Sequence, residues 1–226
     1  IISPYLYKDT DGEFMGIDVE IATEALHRMG YEPEFKLIVW ENKNKLLEDG
    51  EVDCIWGCFS MNGREDKYLW AGPYLYSRQM VAVRMDSEIQ KLKDLTGKMI
   101  AVQETSKAEE YFLRSDFEGI PDVSLVYCFS NMDEVFAALR KNYVEAICGH
   151  ESALISFINT APDEYRLLDE SFLYSALGVA FDIQYDEEFV EELFKTLGDM
   201  MNDGTIAAIV GKYGLDAEKS LGRGND

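Results

Sequence analysis

Positive charge is what this sequence has least of: 21 Lys and Arg stand against 43 Asp and Glu, a formal net charge of -22. Nucleic acids and anionic lipid surfaces are bound through clustered Lys and Arg, so neither is an expected partner. The excess acid fits a solvated surface that keeps a monomer in solution. Histidine is also scarce, with only His27 and His150. Neither has further ligands at zinc spacing, and no metal or cofactor is expected. The four cysteines, Cys54, Cys58, Cys128 and Cys148, form no CxxC pair and are expected as free, mostly buried thiols. If Cys54 and Cys58 share one strand, its rise separates them by about 13 Å, too far for a disulfide. No apolar run approaches the roughly 18 residues of a membrane span. The chain opens at Ile1 on an apolar segment without a charged leader, as expected if a signal or anchor has been removed.

What is present is an alternation of helical and strand patterns. Ile17, Ile21, Ala22, Ala25 and Met29 follow a helical period that ends at Gly30. A strand over 35–39, a short helix over 42–48 and a buried strand over 52–59 come next. The alternation returns with strand 99–103, helix 107–113, strand 123–127, helix 131–140 and strand 144–149. Such alternation predicts α/β architecture, with parallel sheets flanked by helices.

An internal echo refines this. Leu47, Gly50, Val52, Asp53, Ile55 and Gly57 recur at the same spacing as Leu139, Asn142, Val144, Glu145, Ile147 and Gly149. In each copy a leucine ends a helix, Gly or Asn supplies a left-handed turn, and Val and Ile pack a strand. Two copies of one helix-turn-strand unit predict two lobes, each with a mostly parallel central sheet. Extended runs over 77–84 and 177–181 would carry the chain across and back, as a two-strand hinge. Lobe 1 is then discontinuous, 1–78 with 174–226, and lobe 2 is 79–173. Ligands of open α/β sheets bind beyond the carboxyl ends of strands, which selects Cys58-Phe59-Ser60 and His150-Glu151-Ser152.

Several segments, in this order, carry a resemblance. They are Gly12-Glu13-Phe14-Met15-Gly16-Ile17-Asp18-Val19-Glu20, Gly50-Glu51-Val52-Asp53-Cys54, and Gly63-Arg64-Glu65 running on to Trp70-Ala71-Gly72-Pro73-Tyr74. Asp94-Leu95-Thr96-Gly97-Lys98, Asp203-Gly204-Thr205 and Lys212-Tyr213 extend it over nearly the whole chain. The chain resembles the bacterial extracellular solute-binding proteins for polar amino acids, family 3, whose lobes close on ligand. The resemblance implies a non-enzymatic, extracytoplasmic clamp for an amino acid or related small carboxylate. Its partner would be a membrane permease of an ABC importer or a fused membrane sensor module.

The resemblance also places a site. Arg64 falls where the family's arginine pairs with the ligand carboxylate, a task suited to a planar guanidinium. Cys58 and Ser60 would offer backbone groups and one hydroxyl. Thr105 and Ser106 stand at a helix start that suits an anion or serves as a plain N-cap. Trp40 is either an aromatic wall or core packing. Three departures qualify this. The stretch from Ser60 to Arg64 is one residue short, and Ile2 replaces an aromatic in the first ligand loop. His150 also stands where an acid usually receives the ammonium, with Glu151 beside it. The alternative reading is a dehydratase-like cleft enzyme in which His150 and Glu151 move a proton.

Overall fold

A computed structural model describes residues 4–114 and 119–222. In chain order its elements are β1 (Tyr7–Lys8), β2 (Phe14–Met15), α1 (Ile17–Arg28), α2 (Lys43–Glu48), β3 (Cys54–Ile55), β4 (Leu69–Arg84), β5 (Met99–Gln103), α3 (Lys107–Leu113) and β6 (Leu125–Phe129). The chain continues through α4 (Met132–Arg140), β7 (Ala146–His150), α5 (Glu151–Ile158), β8 (Tyr165–Leu167), β9 (Leu173–Phe181), α6 (Glu187–Asn202), α7 (Thr205–Lys212) and α8 (Ala217–Ser220). The fold is α/β, a mixed sheet in which β7, β5 and β6 run parallel, with helices packed on it. The chain divides into two compact units, Ile1–Ser77 with Ser175–Asp226, and Arg78–Tyr174. The chain passes between them within β4 and again within β9.

In the second unit β5 pairs in parallel with β6 and with β7. β4 adds antiparallel to β7 and also takes β8. Ile100, Ala101 and Val102 are all fully buried, as expected of a parallel strand covered on both faces. Successive residues feed opposite faces. Met80, Ala82, Ala101 and Ile147 pack with Val135, Leu139 and Leu154, whereas Val81, Val83, Ile100, Val102 and Cys148 pack with Tyr111 and Phe112.

In the first unit α6 buries Val190, Leu193, Leu197 and Met200, a stripe at helical spacing, against α1, α7 and the inner residues Tyr74, Val179 and Phe181. β3 pairs antiparallel with β9. A smaller aromatic cluster gathers around Phe59, with Leu47, Ile55 and Tyr68 buried and Trp40 and Trp70 against it.

Both copies of the echoed turn form. Gly50 and Asn142 adopt left-handed backbone at φ 67° and 57°. Their hydrogen bonds also match, Gly50 N–H to Leu47 O and Glu51 N–H to Leu46 O in one copy, Asn142 N–H to Leu139 O and Tyr143 N–H to Ala138 O in the other.

Two strand expectations fail. Residues 35–39 form no strand, because Leu37 and Val39 stand exposed and have no apolar face to bury. The strand expected over 52–59 is only Cys54–Ile55, because the backbone turns left-handed at Cys58, φ 53°. The strand-rise estimate for Cys54 and Cys58 therefore does not apply, although all four thiols are free. Cys58 and Cys148 are buried, whereas Cys128 is exposed.

Candidate functional site

In the first unit Trp40, Ser60 and Arg64 converge on Phe59. Trp40 packs edge-on to Phe59 at 4.9 Å between centroids, and the Arg64 guanidinium lies 5.1 Å from the Phe59 ring centroid. Arg64 Nη1 donates to the Ser60 carbonyl at 3.0 Å, and Trp70 Nε1 donates to the Arg64 carbonyl at 3.1 Å. The loop is anchored by Asn62, whose Oδ1 accepts from the Ser60 hydroxyl and from the Ala176 amide of β9. Trp40 therefore packs in the aromatic cluster, on the same Phe59 ring that carries Arg64.

Cys58 sits behind this group. Its amide donates to Asp18 Oδ2 at 2.8 Å, so a ligand contact from its backbone would come from the carbonyl. Asp18, at 1% exposure, also accepts from the Tyr74 hydroxyl at 2.7 Å. Burial raises its pKa to about 7, against the lowering effect of those two hydrogen bonds. A signal for Asp18 was present in the sequence as an acid beside the apolar stripe of α1.

In the second unit Thr105, Ser106 and Glu151 lie just beyond the carboxyl ends of the neighbouring parallel strands β5 and β7, and His150 is the last residue of β7. Thr105 is left-handed at φ 54°, and its amide donates to Glu109 Oε2 at 2.7 Å. Ser106 Oγ accepts from the Glu109 amide at 3.2 Å. Ser106 thus caps the helix while the Glu109 side chain reaches back past it to the Thr105 amide, which places a carboxylate at the helix start where an anionic ligand group would otherwise sit.

β7 gives way to α5 directly after His150, so His150 and Glu151 are not two residues of one extended strand. The His150 ring lies against Gln79 Nε2, 3.1 Å from Nδ1, and Gln79 is its cross-strand partner. Glu151 is held by Arg78, whose Nε donates to Oε2 at 2.8 Å and whose Nη2 donates to Oε1. Arg78 also hydrogen-bonds the Tyr174 side chain, and the Glu151 contact is the first cause of its raised pKa. Sequence reasoning missed Arg78 and Gln79, although an Arg-Gln pair directly before the apolar run 80–83 was a visible signal. Ile2 and Ser3 of the first ligand loop lie outside the described residues. Among the described residues no three His, Cys, Asp or Glu side chains gather as metal ligands.

Comparison with known proteins gives this arrangement a family. Residues 2–216 match the bacterial extracellular solute-binding proteins, family 3, and the chain belongs to that family. It is 25% identical over 222 residues to the L-cystine-binding protein TcyA of Bacillus subtilis strain 168, covering 96% of this chain and 79% of that protein. It superposes on the crystal structure of Tv2483 bound to L-arginine with a TM-score of 0.87 at 25% identity, covering 100% of this chain and 91% of the other. The fold is also shared with the ancestral amino-acid-binding protein AncCDT-1, a precursor of cyclohexadienyl dehydratase. The TM-score there is 0.83 at 22% identity, over 94% of this chain and 91% of that one.

Proposed function

We propose that the chain is an extracytoplasmic solute-binding clamp for an amino acid or related small carboxylate. The observation that carries this reading is Arg64, a guanidinium held over Phe59 and tethered to Ser60 on the loop that follows β3. A guanidinium fixed in this way is preorganised to hold a carboxylate through two parallel hydrogen bonds. In this reading the two units act as lobes, and β4 and β9 serve as the hinge. Ligand contacts both lobes only when they are closed, and that difference in affinity drives closure. Thr105 and Ser106 contribute as hydroxyl donors, and His150 with Gln79 as a hydrogen-bonding pair. Names such as L-cystine-binding protein among the relatives support an amino-acid-type solute. The output is contact with a membrane permease or a fused sensor module.

The enzyme reading has one point in its favour, the fold shared with a dehydratase precursor. Against it, both Glu151 oxygens accept from Arg78, the arrangement of a structural ion pair rather than of a proton-transfer base. We read the chain as non-catalytic.

Titration calorimetry of Arg64→Ala tests the assignment. The variant is expected to lose about 2–5 kcal/mol of binding free energy for its best amino acid, because a buried carboxylate loses its charged partner. Its melting temperature without ligand should fall only modestly, because the bond from Trp70 goes to the Arg64 backbone and survives, while the side chain's bond to the Ser60 carbonyl and its contact with Phe59 are lost. Wild-type affinity in Arg64→Ala would remove Arg64 from the site.

A further inference from the structure

Lys43 opens α2 and is a cation at 7% exposure. Its Nζ lies 4.8 Å from the Trp40 ring centroid and 3.4 Å from the Trp40 carbonyl. Among the described residues no carboxylate forms an ion pair with it. Lys107, a buried lysine of the other unit, shows the contrast, because its Nζ meets Glu110 at 2.5 Å. The charge of Glu41 acts on Lys43 without pairing with it, and a buried ammonium that lacks a direct ion pair is costly, a cost that a charged ligand can offset.

The neighbours of Lys43 make the placement specific. Trp40, beneath Lys43, touches Phe59, and Phe59 carries Arg64. Two cations thus cap two rings in contact. Burial first, and then the Arg64 charge, pull the Lys43 pKa down to about 8, with Glu41 opposing the shift and Lys67 adding to it.

We propose that Lys43 and Arg64 form a two-cation subsite in the first unit that takes a solute bearing two carboxylates, one held by each side chain. This rests on the carboxylate-binding role given to Arg64 above and adds the ligand's second charge. The guanidinium fixes one carboxylate by geometry, whereas the ammonium selects the other by charge. The chain's overall negative charge does not oppose this strongly, because charges beyond about 8 Å are screened at physiological salt. An anion bound beside Lys43 favours the protonated amine. Binding above the depressed pKa therefore takes up a proton, and affinity falls as pH rises past about 8.

The test is calorimetric titration of glutarate, L-glutamate, butyrate and L-glutamine into wild type and Lys43→Met, at pH 7 and pH 9. Wild type at pH 7 should prefer each dicarboxylate over its monocarboxylate counterpart by about tenfold or more, and this preference should shrink at pH 9. Lys43→Met should lose the preference and its pH dependence while still binding L-glutamine. Equal binding of the two classes by wild type, or a preference that survives in Lys43→Met, overturns the subsite. If L-glutamine binds without any charge preference, only the subsite fails. If none of the four binds wild type, the subsite fails, while the solute-clamp reading stands or falls on a wider screen of amino acids and small carboxylates. Should Lys43→Met not fold, the pH dependence of the wild-type preference decides alone.

Discussion

Asp18 is a carboxylate kept out of water, where its two acceptor oxygens hold the Cys58 amide and the Tyr74 hydroxyl. It fixes the backbone at the left-handed Cys58, two residues before Ser60. Its pKa is raised from 3.8 to about 7, so between those values the folded state binds more protons than the unfolded chain. The stabilisation linked to this proton is fully present below pH 3.8 and is lost as pH rises through about 7. Asp18→Asn removes the titration while keeping a carbonyl for the Cys58 amide. The melting temperature of wild type minus that of Asp18→Asn should therefore fall steadily from pH 4 to pH 7 in a scan of both proteins. A difference that stays constant across the window would mean that Asp18 does not titrate there.

At the scale of elements, the start of α1 depends on a residue without a side chain. Gly16 has φ 126°, and the amides of Ile17 and Asp18 donate to the carbonyls of Pro4 and Tyr5. A Cβ at Gly16 would land on the Tyr5 carbonyl oxygen, a backbone atom that cannot swing aside. Gly16→Ala should cost about 3 kcal/mol or more by chemical denaturation, combining strain with steric overlap. A loss under 1 kcal/mol would show that the 4–5 segment moves freely away from α1. The local signals around other elements were readable in advance. Helix 107–113 and strand 99–103 form at the expected residues, because Ser106 caps the one and both faces of the other are apolar. The 35–39 segment was misread because alternating side chains show what a strand would bury, but not whether a partner surface exists. The Arg78–Glu151 pair, 73 residues apart, was invisible for the same reason, although each partner was in plain view. The candidate site was legible as positions at strand ends. Its electrostatics were not, because Glu151 takes its character from Arg78 and Lys43 part of its character from Arg64, both distant in sequence.

For the whole molecule, the excess of negative charge and the two compact units set what the chain presents to its surroundings. No helix of the described residues is long and apolar enough to cross a membrane. The family description places its members outside the cell, and the proposed clamp works there by converting solute binding into contact with a membrane partner. The account rests on one claim, that the folded chain binds a small amino-acid-like carboxylate. A thermal-shift screen against amino acids, their derivatives and other small carboxylates tests it most directly, because a ligand that binds only the folded state raises the melting temperature. The expected result is a rise for a narrow set of carboxylate-bearing solutes, about 2.7 kcal/mol of added stability at a ligand concentration a hundred times the dissociation constant, and its loss in Arg64→Ala. A screen in which no carboxylate shifts the transition while a solute without one does would contradict it.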